Sequence, residues 1–259
     1  MKLTYFISDL HLGANYFMDP REQERLVCAW LREIAPTCAR LYLLGDILDY
    51  WYEYRHVVPR GFTRFFGTLA ELADSGVEIT WVTGNHDIWI FDYLPREIGF
   101  RLVQQQVLEE TIDGKRFVMA HGDGLGPVGW KERLMRWTFR NRFLQWLFAS
   151  VHPRWTVGFA FSWSAANRRR HHVGAMAKPY KPDPLLQWVE ERQKGLRPEE
   201  RPDYYVFGHY HLLMDKEVMG SRVVILGDWI RNMSYATFDG RELRLHRADL
   251  ADGLKLDVL

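Results

Sequence analysis

The chain has 259 residues, of which 47% are hydrophobic and 26% are charged, and these values are ordinary for a globular protein. The length allows one large domain or two small ones with a substantial core. A formal net charge of +1 gives no indication of a strongly acidic or basic partner. Cys28 and Cys38 are too few for a disulfide framework, which favours a reducing, cytoplasmic compartment.

Two apolar runs could be mistaken for targeting or membrane segments. The first, MKLTYFISDLHL, reaches Asp9 without a cleavage-site pattern, so we interpret it as a strand rather than a signal peptide. The second, residues 143–163, is interrupted by His152-Pro153-Arg154. A membrane span needs ~20 mostly apolar residues, and the second run is therefore not predicted to be one.

Strand-like and helix-like patterns alternate along the chain. In order, the sequence predicts a strand at 3–8, a helix at 26–34, strands at 41–44 and 77–83 with a helix at 62–72 between them, a strand at 117–120, a helix at 185–193 and a strand at 203–207. From 216 to 245 the chain breaks into short strands separated by Gly220, Gly227 and Asp239-Gly240. This order predicts a layered α/β domain.

Residues 130–182 differ in composition from the rest of the chain. They contain eleven Lys or Arg, one acidic residue (Glu132) and ten interleaved Trp or Phe side chains. A charge run alone is usually a solvated face, and an aromatic stripe alone is usually core. Because both occur in the same fifty residues, we interpret the segment as a helical insertion with a function of its own.

Polar side chains follow every predicted strand of the α/β region. The five strand ends are Asp9-Leu10-His11, Gly45-Asp46-Ile47-Leu48-Asp49, Gly84-Asn85-His86-Asp87, His121-Gly122-Asp123 and Gly208-His209-Tyr210-His211. Any one of them could be an ordinary turn or a structural histidine. In open α/β sheets, however, the carboxyl ends of the strands line one ligand crevice. Five such ends together predict a metal site.

Seven side chains form this predicted site: Asp9, His11, Asp46, Asn85, His121, His209 and His211. The i, i+2 spacing of Asp9/His11 and of His209/His211 would put each pair on one side of an extended backbone. Seven donors exceed what one tetrahedral ion needs, and mixed imidazole, carboxylate and amide donors suit Mn, Fe or Zn. We therefore expect two divalent ions that share one carboxylate, Mn²⁺ first among these metals.

The blocks D-x-H, G-D-x-x-D, G-N-H-D, H-G-D and G-H-x-H resemble, in this order, the signature blocks of calcineurin-like metallophosphoesterases. The resemblance covers residues 1 to about 240. It implies a two-sheet sandwich flanked by helices, and one domain over 1–259 with a helical cap inserted at about 126–182. It also implies a metal-dependent phosphoester or phosphoric anhydride hydrolase.

The resemblance further implies a role for each site residue. One metal ion would be held by Asp9, His11, Asp46 and His211, and the other by Asp46, Asn85, His121 and His209. The catalytic pair would be His86, as proton donor or charge stabiliser at the phosphate, and Asp87, which would orient it. Asp49 and Asp123 would orient ligating imidazoles.

The chain resembles more closely one branch of the family, the UDP-2,3-diacylglucosamine pyrophosphohydrolases of lipid A biosynthesis. The strings GDILDYWYEY, HGDGLGP and SAANRRR carry this resemblance. It implies cleavage of a lipid-linked nucleotide sugar to UMP and 2,3-diacylglucosamine 1-phosphate (lipid X). The substrate-binding residues would be Asn85, His86, Trp130, Ser164, Asn167 and Arg170.

The chain departs from that branch at His86, where the branch usually carries Arg. An Arg gives a fixed charge for the α-phosphate, whereas a His can also donate a proton, so the exact substrate stays open. A basic, apolar cap also predicts peripheral contact with the anionic inner membrane. We expect no nucleic-acid partner and no obligate protein partner. The alternatives are a calcineurin-like phosphodiesterase acting on nucleotides or nucleic acid, and a non-catalytic scaffold, which would lack metal ligands.

Overall fold

The computed structural model describes residues 2–14, 19–156, 158, 183–249 and 255–258. Its strands are β1 (Leu3–Ile7), β2 (Cys38–Leu44), β3 (Glu78–Val82), β4 (Arg101–Val103), β5 (Leu108–Ile112), β6 (Lys115–Ala120), β7 (Tyr204–Phe207), β8 (Leu213–Val218), β9 (Ser221–Leu226), β10 (Ser234–Phe238), β11 (Leu243–Asp249) and β12 (Lys255–Val258). Its helices are α1 (Pro20–Ile34), α2 (Thr63–Asp74), α3 (Tyr93–Ile98), α4 (Trp130–Arg140), α5 (Arg142–Ala149) and α6 (Asp183–Gln193).

The strands form two sheets. The first has seven strands in the order β12-β11-β10-β1-β2-β3-β4, and the second has five in the order β5-β6-β7-β9-β8. Strands β1 to β4 are parallel to one another, and so are β6, β7 and β9. The prediction of a two-sheet α/β sandwich is confirmed.

The alternation of side chains along β1 shows how the layers are built. Tyr5 and Ile7 face the helices of the first sheet and pack into a cluster with Trp30 of α1. Phe6 points the other way and stacks on Phe117 of the second sheet, with ring centroids 5.6 Å apart. Because successive strand residues point to opposite faces, an uninterrupted apolar strand is buried on both sides. Fully burying each such side chain contributes about 1.5–3 kcal/mol.

A fourth layer covers the outer face of the second sheet. Leu185 and Val189 of α6 pack against Val118, Tyr205 and Val223. The molecule is therefore layered helix, sheet, sheet, helix. The carboxyl ends of β1, β2, β3, β6 and β7 meet at one edge of this sandwich.

Several elements differ from the sequence prediction, among them α3 and β12, which were not predicted. Helix α1 begins at Pro20, where the Asp19 side chain caps it by accepting the N–H of Arg21, rather than near 26. Strands β4 and β5 were not predicted, because β4 has only three residues and β5 alternates buried and exposed positions around Glu109. Neither has the long apolar run on which the prediction of the other strands depends.

The insertion is helical in its described part, as predicted, since α4 and α5 lie between β6 and β7. We call residues 126–182 the cap. Its extent to 182 stays a prediction, because 159–182 lie outside the described residues. Among the helices that are described, none has both the length and the apolar character needed to cross a bilayer.

Candidate metal centre

The predicted ligands converge at the carboxyl edge of the sandwich. Three groups of side chains have ligand atoms within 4.8 Å of one another: Asp9, His11 and His211; His11, Asp46 and His86; and Asp46, His121 and His209. The groups are contiguous, because they share His11 and Asp46. Six of the seven residues that the sequence predicts as ligands therefore lie in one cluster.

The backbone at these residues is not extended, so the reason given for the i, i+2 pairs was wrong. Among the described residues other than glycine, nine have positive φ, and five of these are predicted ligands: Asp9, His11, Asp46, His209 and His211. The left-handed region is uncommon for such residues and costs of order 1–3 kcal/mol each. The chain turns sharply after each strand, and it is this turn that directs both members of a pair into the site.

Two glycines let the ligand-bearing loops approach each other. A Cβ on Gly84 would lie 2.2 Å from Asp46 Oδ1, and a Cβ on Gly208 would lie 2.5 Å from Asp9 Oδ2. Neither distance leaves room for a side chain. The glycines thus allow one strand end to pack on the carboxylate of another, and each carboxylate accepts a backbone N–H there, from His86 and His209 respectively (both 2.9 Å).

One half of the site is formed by Asp9, His11 and His211. The Nε2 atoms of the two imidazoles are 3.2 Å apart, and Asp9 Oδ1 lies 3.8 Å from His11 Nε2 and 3.5 Å from His211 Nε2. Asp9 is fully buried and His11 is 3% exposed. His11 Nε2 is also 3.7 Å from Asp46 Oδ2, which connects this half to the other.

The other half is formed by Asp46, His121 and His209. His121 Nε2 lies 3.2 Å from Asp46 Oδ2 and 3.2 Å from His209 Nδ1. Asp46 and His121 are almost completely buried. Asp46 is thus the carboxylate within reach of imidazoles from both halves, which is the position that a shared ligand must occupy.

Neighbouring oxygens turn the imidazoles toward the site. Nδ1 of His121 donates to the Leu44 carbonyl oxygen at 2.9 Å, Nδ1 of His211 lies 3.3 Å from Asp228 Oδ2, and Nδ1 of His11 lies 3.5 Å from Asp49 Oδ1. An imidazole whose Nδ1–H is held in this way presents the lone pair of Nε2 to a metal. Asp49 therefore lies where the resemblance implied.

Asp228 was missed by the sequence analysis. It follows β9 as Gly227-Asp228, which is the same Gly-Asp signal that Asp46 gives after β2. Its Oδ1 accepts the backbone N–H groups of Ile230, Arg231 and Asn232, so the carboxylate is fixed in place beside His211. These bonds and the His211 contact, against the effect of burial, lower the pKa of Asp228 to about 2.

The electrostatics of the cluster are those of a site that accepts positive charge. Burial alone would lower the pKa of His11, but Asp49, Asp9 and Asp46 outweigh it and raise that pKa to about 10. For His121, burial is likewise outweighed by Asp46, and the pKa lies well above its usual value. Burial and the neighbouring His121 lower the pKa of His209 to about 4.

A divalent ion fits these residues. Asp9 Oδ1 is buried and has no hydrogen-bond partner among the described residues. The two imidazole contacts, each with nitrogens 3.2 Å apart, have the spacing of adjacent ligands on an ion whose metal–nitrogen bonds are about 2.0–2.1 Å. With Nδ1 of His11 and of His211 turned toward Asp49 and Asp228, their Nε2 atoms face each other across the position that an ion would occupy.

His86 and Asp87 do not form the expected pair. Asp87 is fully buried and accepts the N–H groups of Gly84 and Ile47 and of the Trp81 indole, at 2.7, 2.9 and 3.2 Å. Burial and the charge of Asp46 raise its pKa to about 6. It therefore shapes the loop that carries His86, but the expectation that it orients the imidazole is wrong. His86 instead donates from Nδ1 to the Asp49 carbonyl oxygen at 2.8 Å.

The remaining predicted residues are more dispersed. Asn85 is exposed beside His86 at the mouth of the site. Trp130 is 65% exposed and lines a groove of about 340 Å³ on the cap together with Leu134 and Phe139. Asp123 forms an ion pair with Arg136 of α4 rather than a hydrogen bond to a ligating imidazole. The other three predicted substrate-binding residues lie outside the described residues: Ser164, Asn167 and Arg170.

A four-layer sandwich with two clusters of Asp and His at its carboxyl edge defines a metallophosphoesterase-type site. The model of the calcineurin-like phosphoesterase family matches residues 3–213. The chain belongs to this family.

Curated proteins similar to this chain carry the name of one enzyme within the family. The chain is 44% identical over 254 residues to the UDP-2,3-diacylglucosamine hydrolase of Porphyromonas gingivalis, an alignment that covers 93% of this chain and 95% of that one. It is 30% identical over 233 residues to the enzyme of the same name from Neisseria meningitidis, with coverage of 88% and 90%. Among solved structures, Vacuolar Protein Sorting 29 from Cryptosporidium parvum aligns with a TM-score of 0.49 at 17% identity, covering 100% of this chain and 95% of that one.

Proposed function

We propose that the chain hydrolyses the pyrophosphate of UDP-2,3-diacylglucosamine to give UMP and lipid X, as a step of lipid A biosynthesis. The observation that carries the proposal is the 44% identity to a hydrolase named for this substrate over 93% of the chain. That coverage leaves far fewer residues outside the alignment than the cap contains. The similarity therefore extends into the cap, which we expect to determine substrate specificity in this family.

The cluster supports a site for two divalent ions, and we propose Mn²⁺ for both. One ion would be held by Asp9, His11, Asp46 and His211, and the other by Asp46, Asn85, His121 and His209. When bound, such a pair activates water and stabilises the attacking and leaving oxygens of a phosphoryl transfer. Full activity restored to metal-free protein by Mn²⁺, but not by Zn²⁺ or Fe²⁺, would support this choice of metal.

His86 is proposed to act on the substrate phosphate. Its side chain is 27% exposed, whereas those of His11 and His121 are almost completely buried. With Nδ1–H bound to the Asp49 carbonyl, Nε2 is the atom left to meet a phosphate oxygen. There it can stabilise charge, or donate a proton to the leaving group when the ring is protonated.

The cap is proposed to bind the acyl chains. Its exposed apolar side chains include Phe143 and Trp146, which are 63% and 62% exposed and have ring centroids 5.9 Å apart. Each buried methylene of an acyl chain contributes ~0.8 kcal/mol, so two chains together outweigh a single headgroup contact. Substrates with truncated chains should therefore bind far more weakly than the diacyl substrate.

The same cap is proposed to contact the anionic inner membrane from the cytoplasmic side. It combines exposed Trp and Phe with eleven Lys or Arg in residues 130–182. A basic residue near an anionic surface adds ~1 kcal/mol of attraction. Sedimentation with vesicles rich in phosphatidylglycerol, but not with phosphatidylcholine vesicles, is the expected result.

One assay tests the proposed substrate directly. We expect UMP release from UDP-2,3-diacylglucosamine to exceed the hydrolysis of nucleotides and DNA. A double variant, Phe143→Ser with Trp146→Ser, should lose turnover of the lipid substrate and keep turnover of a small chromogenic phosphodiester. Met219→Ser, which changes an exposed apolar side chain in the β8–β9 turn, is the matched control. Preferred hydrolysis of DNA or nucleotides would favour the alternative phosphodiesterase.

A further inference from the structure

Each of three metal-ligand loops also makes a specific contact with the cap. The loop after β2 continues from Asp46 to Tyr52, whose hydroxyl donates to the Gln145 carbonyl oxygen of α5 at 2.6 Å. The loop after β3 continues to Trp89, whose indole N–H donates to the Phe139 carbonyl oxygen of α4 at 2.9 Å. In the loop after β6, Asp123 pairs with Arg136 of α4.

The first two contacts form one cluster. Tyr52 and Trp89 are joined by an isolated parallel bridge, and their rings pack edge to face at 5.4 Å. Phe148 of α5 packs on both, with ring centroids at 5.0 Å from Tyr52 and 5.3 Å from Trp89. Phe139 of α4 packs on the other side of Trp89 at 5.5 Å. We call Tyr52, Trp89, Phe139 and Phe148 the docking cluster.

The docking cluster is tied rigidly to the catalytic residues. Glu53, which is buried, donates its backbone N–H to the Trp89 carbonyl oxygen at 3.2 Å. Its carboxylate accepts the backbone N–H groups of four residues in succession, 91 to 94, at 2.6–3.1 Å. Nearer the predicted metal ligands, His86 Nδ1 donates to the Asp49 carbonyl oxygen. The loops that carry Asp49 and His86 are therefore fastened to each other on both sides.

We propose that Tyr52 and Trp89 are positioning residues that fix the cap in register with the metal centre. In the described part of the chain, no hydrogen bond or ion pair joins either side chain to a predicted metal ligand, so we do not assign them as catalytic residues. Both side chains donate to backbone carbonyl oxygens of the cap, Trp89 in α4 and Tyr52 in α5, which is the next helix along the chain. A hydrogen bond to a backbone carbonyl holds the backbone of the helix in place, and it does not depend on the side chains of the exposed face. Loss of register by about 1 Å can cost 100-fold in rate.

The test uses Tyr52→Phe, Trp89→Phe and the double variant in the metal-loaded, full-length protein. Each single change removes one hydrogen bond and keeps an aromatic ring, and Tyr204→Phe is the matched control, because it removes a hydroxyl that donates to the Arg241 carbonyl away from the cap. We expect kcat on UDP-2,3-diacylglucosamine to fall roughly 5- to 10-fold for each variant, and further for the double variant. KM should change little, because the exposed apolar face of the cap is intact.

Two further measurements separate positioning from general damage. Amide hydrogen exchange at residues 130–149 should accelerate in the variants and stay unchanged in Tyr204→Phe. Turnover of a small chromogenic phosphodiester and metal content should match the unsubstituted protein, since neither depends on the cap. An equal loss on both substrates, a loss of metal, or unaltered exchange in the double variant would overturn the proposal.

The inference rests on the proposed function only for the choice of substrate. If the unsubstituted protein releases no UMP from UDP-2,3-diacylglucosamine, the proposed function fails. The exchange measurement still decides whether Tyr52 and Trp89 hold the cap.

Discussion

His86 lies with Nδ1 2.8 Å from the backbone carbonyl oxygen of Asp49, and the carboxylate of the same Asp49 lies 3.5 Å from Nδ1 of His11. The Asp49 carboxylate lies between a predicted metal ligand and the predicted catalytic imidazole, since its Oδ1 is also 3.5 Å from Nδ1 of His86. The two imidazoles pack edge to face with ring centroids 4.9 Å apart. A backbone carbonyl can only accept a hydrogen bond, so this contact places a proton on Nδ1 of His86. Nε2 is then the ring atom that can meet a phosphate oxygen.

The first prediction concerns His86→Ala. If His86 acts on the phosphate rather than on a metal, the rate should fall by about 100-fold or more, within the range of general acid–base catalysis. Metal content should remain near that of the unsubstituted protein, because Asp9, Asp46 and the remaining imidazoles are unchanged. Elemental analysis beside steady-state kinetics checks both. Loss of one ion in His86→Ala would show that the imidazole is a metal ligand instead. Its ligand atoms lie close enough to those of His11 and Asp46 for that role.

The second prediction concerns the carboxylate between the two halves. Asp46 Oδ2 lies within 3.7 Å of imidazoles from both, so Asp46→Ala should lower occupancy at both sites and abolish turnover. Asp46→Asn keeps the shape without the charge and should lose affinity for both ions to a lesser degree. Two tightly bound ions per chain together with full activity in Asp46→Ala would rule out a shared ligand.

The sequence allowed the layers and the clustering of six candidate ligands to be predicted because both depend on local patterns. An apolar run followed by a polar residue predicts a strand end, and parallel strands bring their carboxyl ends to one edge. Asp228 carries the same signal, but it follows a strand of the tail, where no βα alternation indicates the direction of the strand. The left-handed turns at Asp9 and His11 could not be predicted from residue type, because Asp and His enter this region more often than most residues but still in a minority of cases.

The roles of Asp87 and Asp123 could not be predicted from position alone. Asp87 is adjacent to His86 in sequence, yet its oxygens are satisfied by Gly84, Ile47 and Trp81. Asp123 is two residues from a ligand, yet Arg136 reaches it from the cap. Which donor meets a carboxylate depends on the local fold of its loop and on which distant segments pack against it, as Ile47 and Arg136 do here.

The third prediction tests Asp228 as the group that holds His211. Asp228→Asn keeps an oxygen for the backbone N–H groups of the following turn but removes the charge beside the imidazole. Substitutions of this kind typically cost 10- to 100-fold in metal affinity, and we expect a loss of that size in a metal titration. Asp215→Asn, which alters an ion pair with Arg222 on the edge strand β8, is the control and should leave affinity unchanged. Equal affinities in both variants would contradict the assignment.

The fourth prediction concerns stability. Glu53 accepts four backbone N–H groups and lies 3.3 Å from the Trp51 indole nitrogen, which also donates to it. In Glu53→Gln an amide NH₂ would face N–H donors, so at least one charge-assisted bond is lost and a buried donor is left unpaired. The free energy of unfolding should fall by about 2–4 kcal/mol. Urea titration checks this against Glu71→Gln on the surface of α2, for which a change within ~0.5 kcal/mol is expected. Similar values for both would contradict the role of Glu53.

The last prediction concerns the pH dependence of the metal-free protein. Against the effect of burial, Asp49, Asp9 and Asp46 raise the pKa of His11 to about 10 in the folded state, whereas an unfolded histidine has a pKa near 6.5. The folded state therefore binds the proton more tightly, and this stabilisation is complete below about pH 6.5 and is lost as the pH rises through 10. The raised pKa of His121 acts in the same direction. Tm should accordingly decline between pH 7 and pH 10 in the presence of EDTA.

Bound metal should reverse this dependence. Ligands must give up their protons to bind an ion, so affinity and the stabilisation it brings rise with pH until the imidazoles are neutral. Thermal melts at pH 7, 8, 9 and 10, with EDTA or with Mn²⁺, give the two profiles. The variant His11→Gln removes one titrating group and should flatten the EDTA profile, which separates its contribution from the titration of Lys and Tyr elsewhere in the chain. Parallel profiles for the metal-free protein and His11→Gln would mean that His11 carries no proton in the folded, metal-free site.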